Sequence, residues 1–116
     1  MRSCSITAER QGDLDILHLG GSLDSFSFPK LEAAFNTLRD SGRARVILDC
    51  SDLDYISSVA LGALIGFARR ARENKGDLKL ACLSPKIQGI IELLGFHRIL
   101  QFHSTLEEAA KAFPST

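Results

Sequence analysis

The sequence predicts an α/β fold: a mixed, mostly parallel sheet of about five strands with four helices, in the order ββαβαβαβα. Three observations carry that prediction. Two strand-like runs flank the turn Gln11-Gly12-Asp13, as in a hairpin. Beyond them, apolar stripes at i, i+3, i+4, i+7 alternate with short apolar runs, the rhythm of strand–helix–strand units. The run Ala44-Arg45-Val46-Ile47-Leu48-Asp49-Cys50 is nearly continuous in apolar residues, as in a strand buried on both faces of a parallel sheet.

Each element has its own local reason. A weak strand runs from Ile6 to near Arg10, and Leu14-Asp15-Ile16-Leu17-His18-Leu19 makes a second, stopped by Gly20-Gly21. A polar loop of Ser22-Leu23-Asp24-Ser25-Phe26-Ser27 follows. Pro29 suits a first helical turn, and Leu31, Ala34, Phe35 and Leu38 stripe the helix it starts, with Gly42 as its C-terminal cap. After the third strand, Ser51-Asp52-Leu53-Asp54-Tyr55-Ile56 reads as a loop. Ser57 or Ser58 then caps a second helix that begins near Val59 and ends at Asn74-Lys75-Gly76. Its first half is apolar nearly all round, so it should be the most buried helix, and Gly62 and Gly66 read as contacts packed closely on the sheet. Leu78-Lys79-Leu80-Ala81-Cys82-Leu83 is a fourth strand. Ser84-Pro85 opens a third helix striped by Ile87, Ile90, Ile91 and Leu94 and stopped by Gly95. A short strand over 98–102 and a small helix behind the capping box Thr105-Leu106-Glu107-Glu108 complete the chain.

Residues 1–116 read as one domain, without repeat or linker, with about three loose residues at either end. Lys plus Arg number 14 and Asp plus Glu 14. That balance disfavours nucleic acid and anionic membrane surfaces, both of which need an excess of cations. The longest near-apolar run, 59–68, falls far short of the ~20 residues that span a bilayer. Met1-Arg2-Ser3-Cys4-Ser5 lacks the apolar core of a signal peptide, so no membrane insertion is expected. Cys4, Cys50 and Cys82 are odd in number and form no C-x-x-C, which points to small core residues in a reducing cytoplasm.

Catalytic patterns are missing. His18, His97 and His103 share no metal-ligand spacing, and no nucleophile elbow or phosphate loop is present. Asp49, late in a buried strand, invites comparison with a receiver-domain phosphoacceptor. The acidic pair that would hold Mg²⁺ is absent, because the early strands end in Glu9-Arg10 and Gly20-Gly21. No metal, cofactor or catalytic residue is expected.

Three segments in register carry a resemblance. They are Gly21-Ser22-Leu23-Asp24; Val46-Ile47-Leu48-Asp49 with Leu53-Asp54-Tyr55-Ile56-Ser57-Ser58; and Ser84-Pro85 through Leu93-Leu94-Gly95-Phe96. Over nearly the whole chain, the sequence resembles the STAS domain of bacterial anti-sigma-factor antagonists. The resemblance implies a cytoplasmic, non-enzymatic regulator of transcription that works by partner switching. Its partner would be an anti-sigma factor that is also a serine kinase of the histidine-kinase-like ATPase type. The kinase would phosphorylate a serine at the start of the second helix, and a serine phosphatase would reverse this. The resemblance also admits a phosphorylation-independent STAS subunit of another assembly, such as a lipid-transport ABC complex.

The sequence departs from the family motif D-S-S-G-L-G where it matters most. Aligned on Leu61-Gly62, Ser57 stands at the motif Asp, Ser58 at its first Ser, Val59 at the usual phosphoacceptor and Ala60 at the Gly. Val59 has no hydroxyl. Ser58, Ser57 and no phosphoacceptor at all remain three open readings, and one residue of shift turns a helical side chain by about 100°. The implied partner surface is Asp24, Ser25, Tyr55, Ile56, Ser57, Ser58, Val59, Ala60 and Gly62. Asp24 reads either as a partner contact or as a turn cap, and Phe26 and Phe28 either as exposed anchors or as pins to the core. Arg69-Arg70-Ala71-Arg72 reads as a solvated face favoured by the helix dipole.

Overall fold

The computed structural model describes residues 4–114, so of the expected loose ends, 1–3 and 114–116, all but Pro114 lie outside the described residues. The elements run β1 (Cys4–Gln11), β2 (Leu14–Leu23), α1 (Phe28–Asp40), β3 (Arg45–Ile56), α2 (Ser58–Glu73), β4 (Asp77–Ala81), α3 (Pro85–Leu93), a 3-10 turn (Phe96–Arg98), β5 (Gln101–His103) and α4 (Leu106–Lys111). The five strands lie side by side in chain order. β1 pairs with β2 antiparallel, and every later pair is parallel.

Alternation along the strands divides the core in two. Leu17, Leu19, Val46, Leu48, Leu78 and Leu80 face α1, α2 and α3 and form the larger cluster with Leu31, Phe35, Leu61, Leu64 and Ile87. Consecutive parallel strands joined by right-handed crossovers put all three helices on that face. The stacked rings of Phe35 and Phe67, 3.7 Å apart, tie α1 to α2. Leu14, Ile16, Ile47 and Ala81 face the other way, where Ala109 and Phe113 at the C-terminal end cover them.

Two strands are longer than the sequence indicated. Gly20 and Gly21 do not stop β2, and residues 51–56 are strand, not loop. Each supplies the other's ladder: Gly20 pairs with Asp52, Gly21 with Leu53, Ser22 with Tyr55 and Leu23 with Ile56. Glycine normally weakens a strand, but here it permits the shape. Gly21 takes φ +85°, beside the register shifts that bend β2. Ser5 Oγ lies only 2.7 Å from where a Gly20 Cβ would sit. β4 ends early because Cys82 turns to φ +62°. The strand expected over 98–102 divides into the 3-10 turn and β5, since Gly95 at φ +77° swings the chain straight out of α3 into a new turn.

The glycines of α2 also differ from expectation. Gly62 is exposed and a Cβ there would meet nothing within 4 Å, while at Gly66 it would meet only the Arg70 guanidinium at 3.8 Å. They open the outer face of α2 and do not press on the sheet. The polar caps follow the sequence closely. Ser84 Oγ accepts from Ile87 N at 3.2 Å, and Thr105 Oγ1 from Glu108 N at 3.0 Å.

Candidate functional site

The β2–α1 loop and the start of α2 meet at the C-terminal ends of β2 and β3. Ser57 N donates to Leu23 O at 2.9 Å, which fastens the two segments together. Within the loop, Asp24 Oδ1 accepts from Phe26 N at 2.9 Å and Ser27 N at 3.0 Å. Ser27 Oγ donates to Ser22 O at 2.7 Å, and Asp24 N donates to Ser27 Oγ at 2.9 Å. The loop is therefore held in shape by its own side chains, and Asp24 does cap a turn. The two phenylalanines divide between their two readings. Phe26 is 91% exposed, whereas Phe28 is half-buried against the core.

The serines separate equally clearly. Ser57 is the N-cap of α2, its hydroxyl oxygen accepting from Ala60 N at 3.1 Å. Ser58 is the first residue of the helix and is exposed. Val59 follows at 66% exposure. Ile56 and Ala60, expected on the partner surface, turn inward at 3% and 0% exposure. Their positions follow from alternation in β3 and from the inner face of α2, so they support the surface from beneath. Tyr55 is half-buried beside Ser22. What remains accessible is Asp24 in part, Ser25, Phe26, Ser58, Val59 and Gly62, flanked by the exposed carboxylates Asp52 and Asp54. The arrangement leaves a hydroxyl, an apolar side chain and a ring exposed, and among the described residues no side chain hydrogen-bonds to that hydroxyl.

A second cluster escaped the sequence entirely. On the opposite face of the sheet, His18 Nδ1 lies 2.6 Å from Asp49 Oδ2 and Nε2 lies 2.8 Å from Glu9 Oε1. One imidazole thus bridges three strands. The bond with Asp49, then that with Glu9, raises the His18 pKa above its ordinary 6.5. Burial pushes the Asp49 carboxyl up, but the bonds from His18 and Ser51 outweigh it and leave it lowered. Bonds from Gln11 and His18 lower Glu9. With both ring nitrogens occupied, His18 is a strut and offers no general base. The Cys82 thiol beside Asp49 is pushed up by burial and is a poor nucleophile. No sequence signal reveals the trio, because its members sit 9 and 31 residues apart.

The signs of these shifts fix a pH dependence. A raised histidine stabilises fully below its unfolded value of 6.5 and loses that contribution as pH rises through the folded value. Lowered carboxylates stabilise above 4.5 and 3.8 and lose it as pH falls. Hence the stability gap between the native chain and His18→Gln should be widest at about pH 5–6 and narrow on either side. Urea midpoints measured from pH 4 to 9 check this; a gap that is flat across that range removes the bridge as an energetic unit.

Among the described residues no group of three His, Cys, Asp or Glu side chains could hold a metal ion. No helix among them is long and apolar enough to cross a membrane.

Known proteins share this fold. The sequence model of the STAS domain matches residues 5–109. A protein of Bordetella bronchiseptica assigned as an anti-sigma factor antagonist, BtrV, is 34% identical over 108 residues, 93% of each chain. The crystal structure of an anti-sigma factor antagonist from Mycobacterium paratuberculosis superposes with a TM-score of 0.85 at 20% identity, covering 95% of this chain and 93% of that one. The Bacillus cell fate determinant SpoIIAA in its phosphorylated form gives 0.71 at 21% identity, covering 92% and 97%.

Proposed function

Because the chain belongs to the STAS domain family and is anti-sigma factor antagonist-like, we propose that it is a regulatory binding protein, not an enzyme, that docks an anti-sigma factor and is switched by phosphorylation of Ser58. The docking surface is the Asp24 loop, the 52–58 segment and the exposed start of α2. One observation carries the choice of serine: the Ser57 oxygen is occupied as the helix cap, while Ser58 presents its hydroxyl to solvent beside Val59. The phosphorylated form solved for SpoIIAA belongs to that protein and lends the chemistry a precedent.

The physics of such a switch is local. A phosphoryl group adds about −1.5 to −2 charges at pH 7. Within the chain, the free N–H groups and dipole at the start of α2 tolerate that charge. At a docking surface it must be desolvated or repelled, so binding weakens while the fold persists. The phosphate would come from ATP bound to the partner, a serine kinase of the histidine-kinase-like ATPase type, and a serine phosphatase would remove it.

The test is incubation of the full chain with that kinase and ATP, followed by intact mass and site mapping. One phosphate on Ser58, absent from Ser58→Ala, is expected. Ser58→Asp should bind the partner about tenfold more weakly, or worse, with its melting temperature kept, a loss of roughly 1.4 kcal/mol. Phosphate on Ser57 would move the switch. No phosphate with binding intact would leave a constitutive docking surface, the reading that Val59 favours, as in a STAS subunit of a lipid-transport ABC complex. Full affinity of Ser58→Asp would remove this surface altogether.

A further inference from the structure

Away from the docking surface, α1 and α2 do not close on each other. At their C-terminal ends they leave a cavity of about 250 Å³. Its floor is the stacked pair Phe35 and Phe67, which are 3% and 6% exposed. Its walls carry Arg39, Arg43 and Arg70, against a single carboxylate, Glu73. A second cavity of about 210 Å³ lies further along the same groove, and Phe35 and Arg70 line both. Gly66 lines the second cavity, with the Arg70 guanidinium 3.8 Å from where its Cβ would sit.

We propose that this cavity binds a small organic anion, one with a flat apolar body and a single carboxylate or phosphate group. The floor supplies the apolar half of the recognition: what the Phe35–Phe67 stack leaves open, together with Ala44 and Ala71, gives a flat apolar body a surface to bury. The arginines supply the polar half, because guanidinium groups hold planar oxyanions through paired N–H donors. Their charge is incompletely answered within the chain. Arg39 meets Asp40 at 3.5 Å in an exposed pair, and Arg43 meets Asp15 at 3.8 Å. Arg70 makes no ion pair among the described residues. Three cations around an apolar floor repel one another, and one bound anion relieves that repulsion. At about 250 Å³ the cavity falls just below the ~300–1,000 Å³ of sites for drug-sized ligands, which sets the ligand at fragment size. The site shares no residue with the docking surface, so it stands or falls separately from the proposed switch.

The probes are phenyl phosphate and phenylacetate for the two anionic groups, benzyl alcohol for the body alone and inorganic phosphate for the charge alone. Each is titrated into the ¹⁵N-labelled full chain and followed by amide chemical shifts. Saturable shifts confined to residues 35–44 and 67–74 are expected for one or both aromatic anions, and the stronger of the two names the group. Both controls should bind about tenfold more weakly or worse. Arg39→Gln with Arg70→Gln, two exposed positions, should weaken binding about tenfold with an unchanged melting temperature. Inorganic phosphate binding as well as the aromatic anions would reduce the site to a surface charge effect. No saturable shift, shifts elsewhere, or full affinity in the double variant would overturn the proposal.

Discussion

Gly76→Ala should lower the melting temperature by more than about 10 °C, a loss of roughly 3 kcal/mol for a domain of this length. Gly76 sits where α2 hands over to β4, and its N–H donates to Ala71 O at 2.8 Å. A Cβ on it would lie 2.6 Å from Ala44 Cβ, and closer still to the Ala44 carbonyl carbon and oxygen. That carbonyl accepts from Asp77 N at 2.9 Å, beside the first rung between β3 and β4, where Arg45 pairs with Asp77. No rotamer relieves a collision with backbone, so the two strands must part at their start. Gly62→Ala is the control, since a Cβ there meets nothing. In a helix the same substitution stabilises by roughly 0.5–1 kcal/mol. Thermal melts of both variants check the pair; equal shifts would mean that close approach is not what requires glycine at 76.

Leu61→Ala should cost about 3 kcal/mol, within the ~2–5 kcal/mol typical of removing a buried leucine. Leu61 is 0% exposed and stands in the first turn of α2, its N–H donating to Ser57 O at 3.0 Å. It joins the main cluster with Leu64, Ile56 and Leu23. The leucine therefore anchors from below the turn that displays Ser58 and Val59 above. Urea unfolding measures the loss, and hydrogen exchange at Leu61 and Ala60 should quicken more than at β1. A loss under about 1 kcal/mol would mean the site refills by relaxation, and that the turn is held by its cap alone.

The order of elements was legible because it is written in local patterns. The stripe Leu31, Ala34, Phe35, Leu38 and the prolines at helix starts need no knowledge of the rest of the chain. The length of β2 and β3 was not, because Gly20-Gly21 reads as a stop until its partner Asp52-Leu53 is known, and parallel partners are remote in sequence. The α2 glycines misled for a related reason. A helix apolar nearly all round does not say which face is inward, and the outward one carried Gly62. At the site, two adjacent serines had equal claims as caps, and only the geometry gave the role to Ser57. Periodicity likewise could not separate Phe26, which is out, from Phe28, which packs in. The trio of Glu9, His18 and Asp49 depends wholly on pairing across three strands, so no linear motif announces it.

The strands stand in the sheet in the order in which they occur along the chain. A ribosome delivering this protein from its N-terminus therefore never presents a strand before its neighbour is out. The hairpin of β1 and β2 forms from adjacent residues, β3 finds β2 waiting, and β4 finds β3. Each later strand closes one crossover of about 20 residues through a single α-helix, and none has to wait for a strand further along the chain. Assembly can run as zipping from one edge, and only β5, three residues long, is left to finish the other.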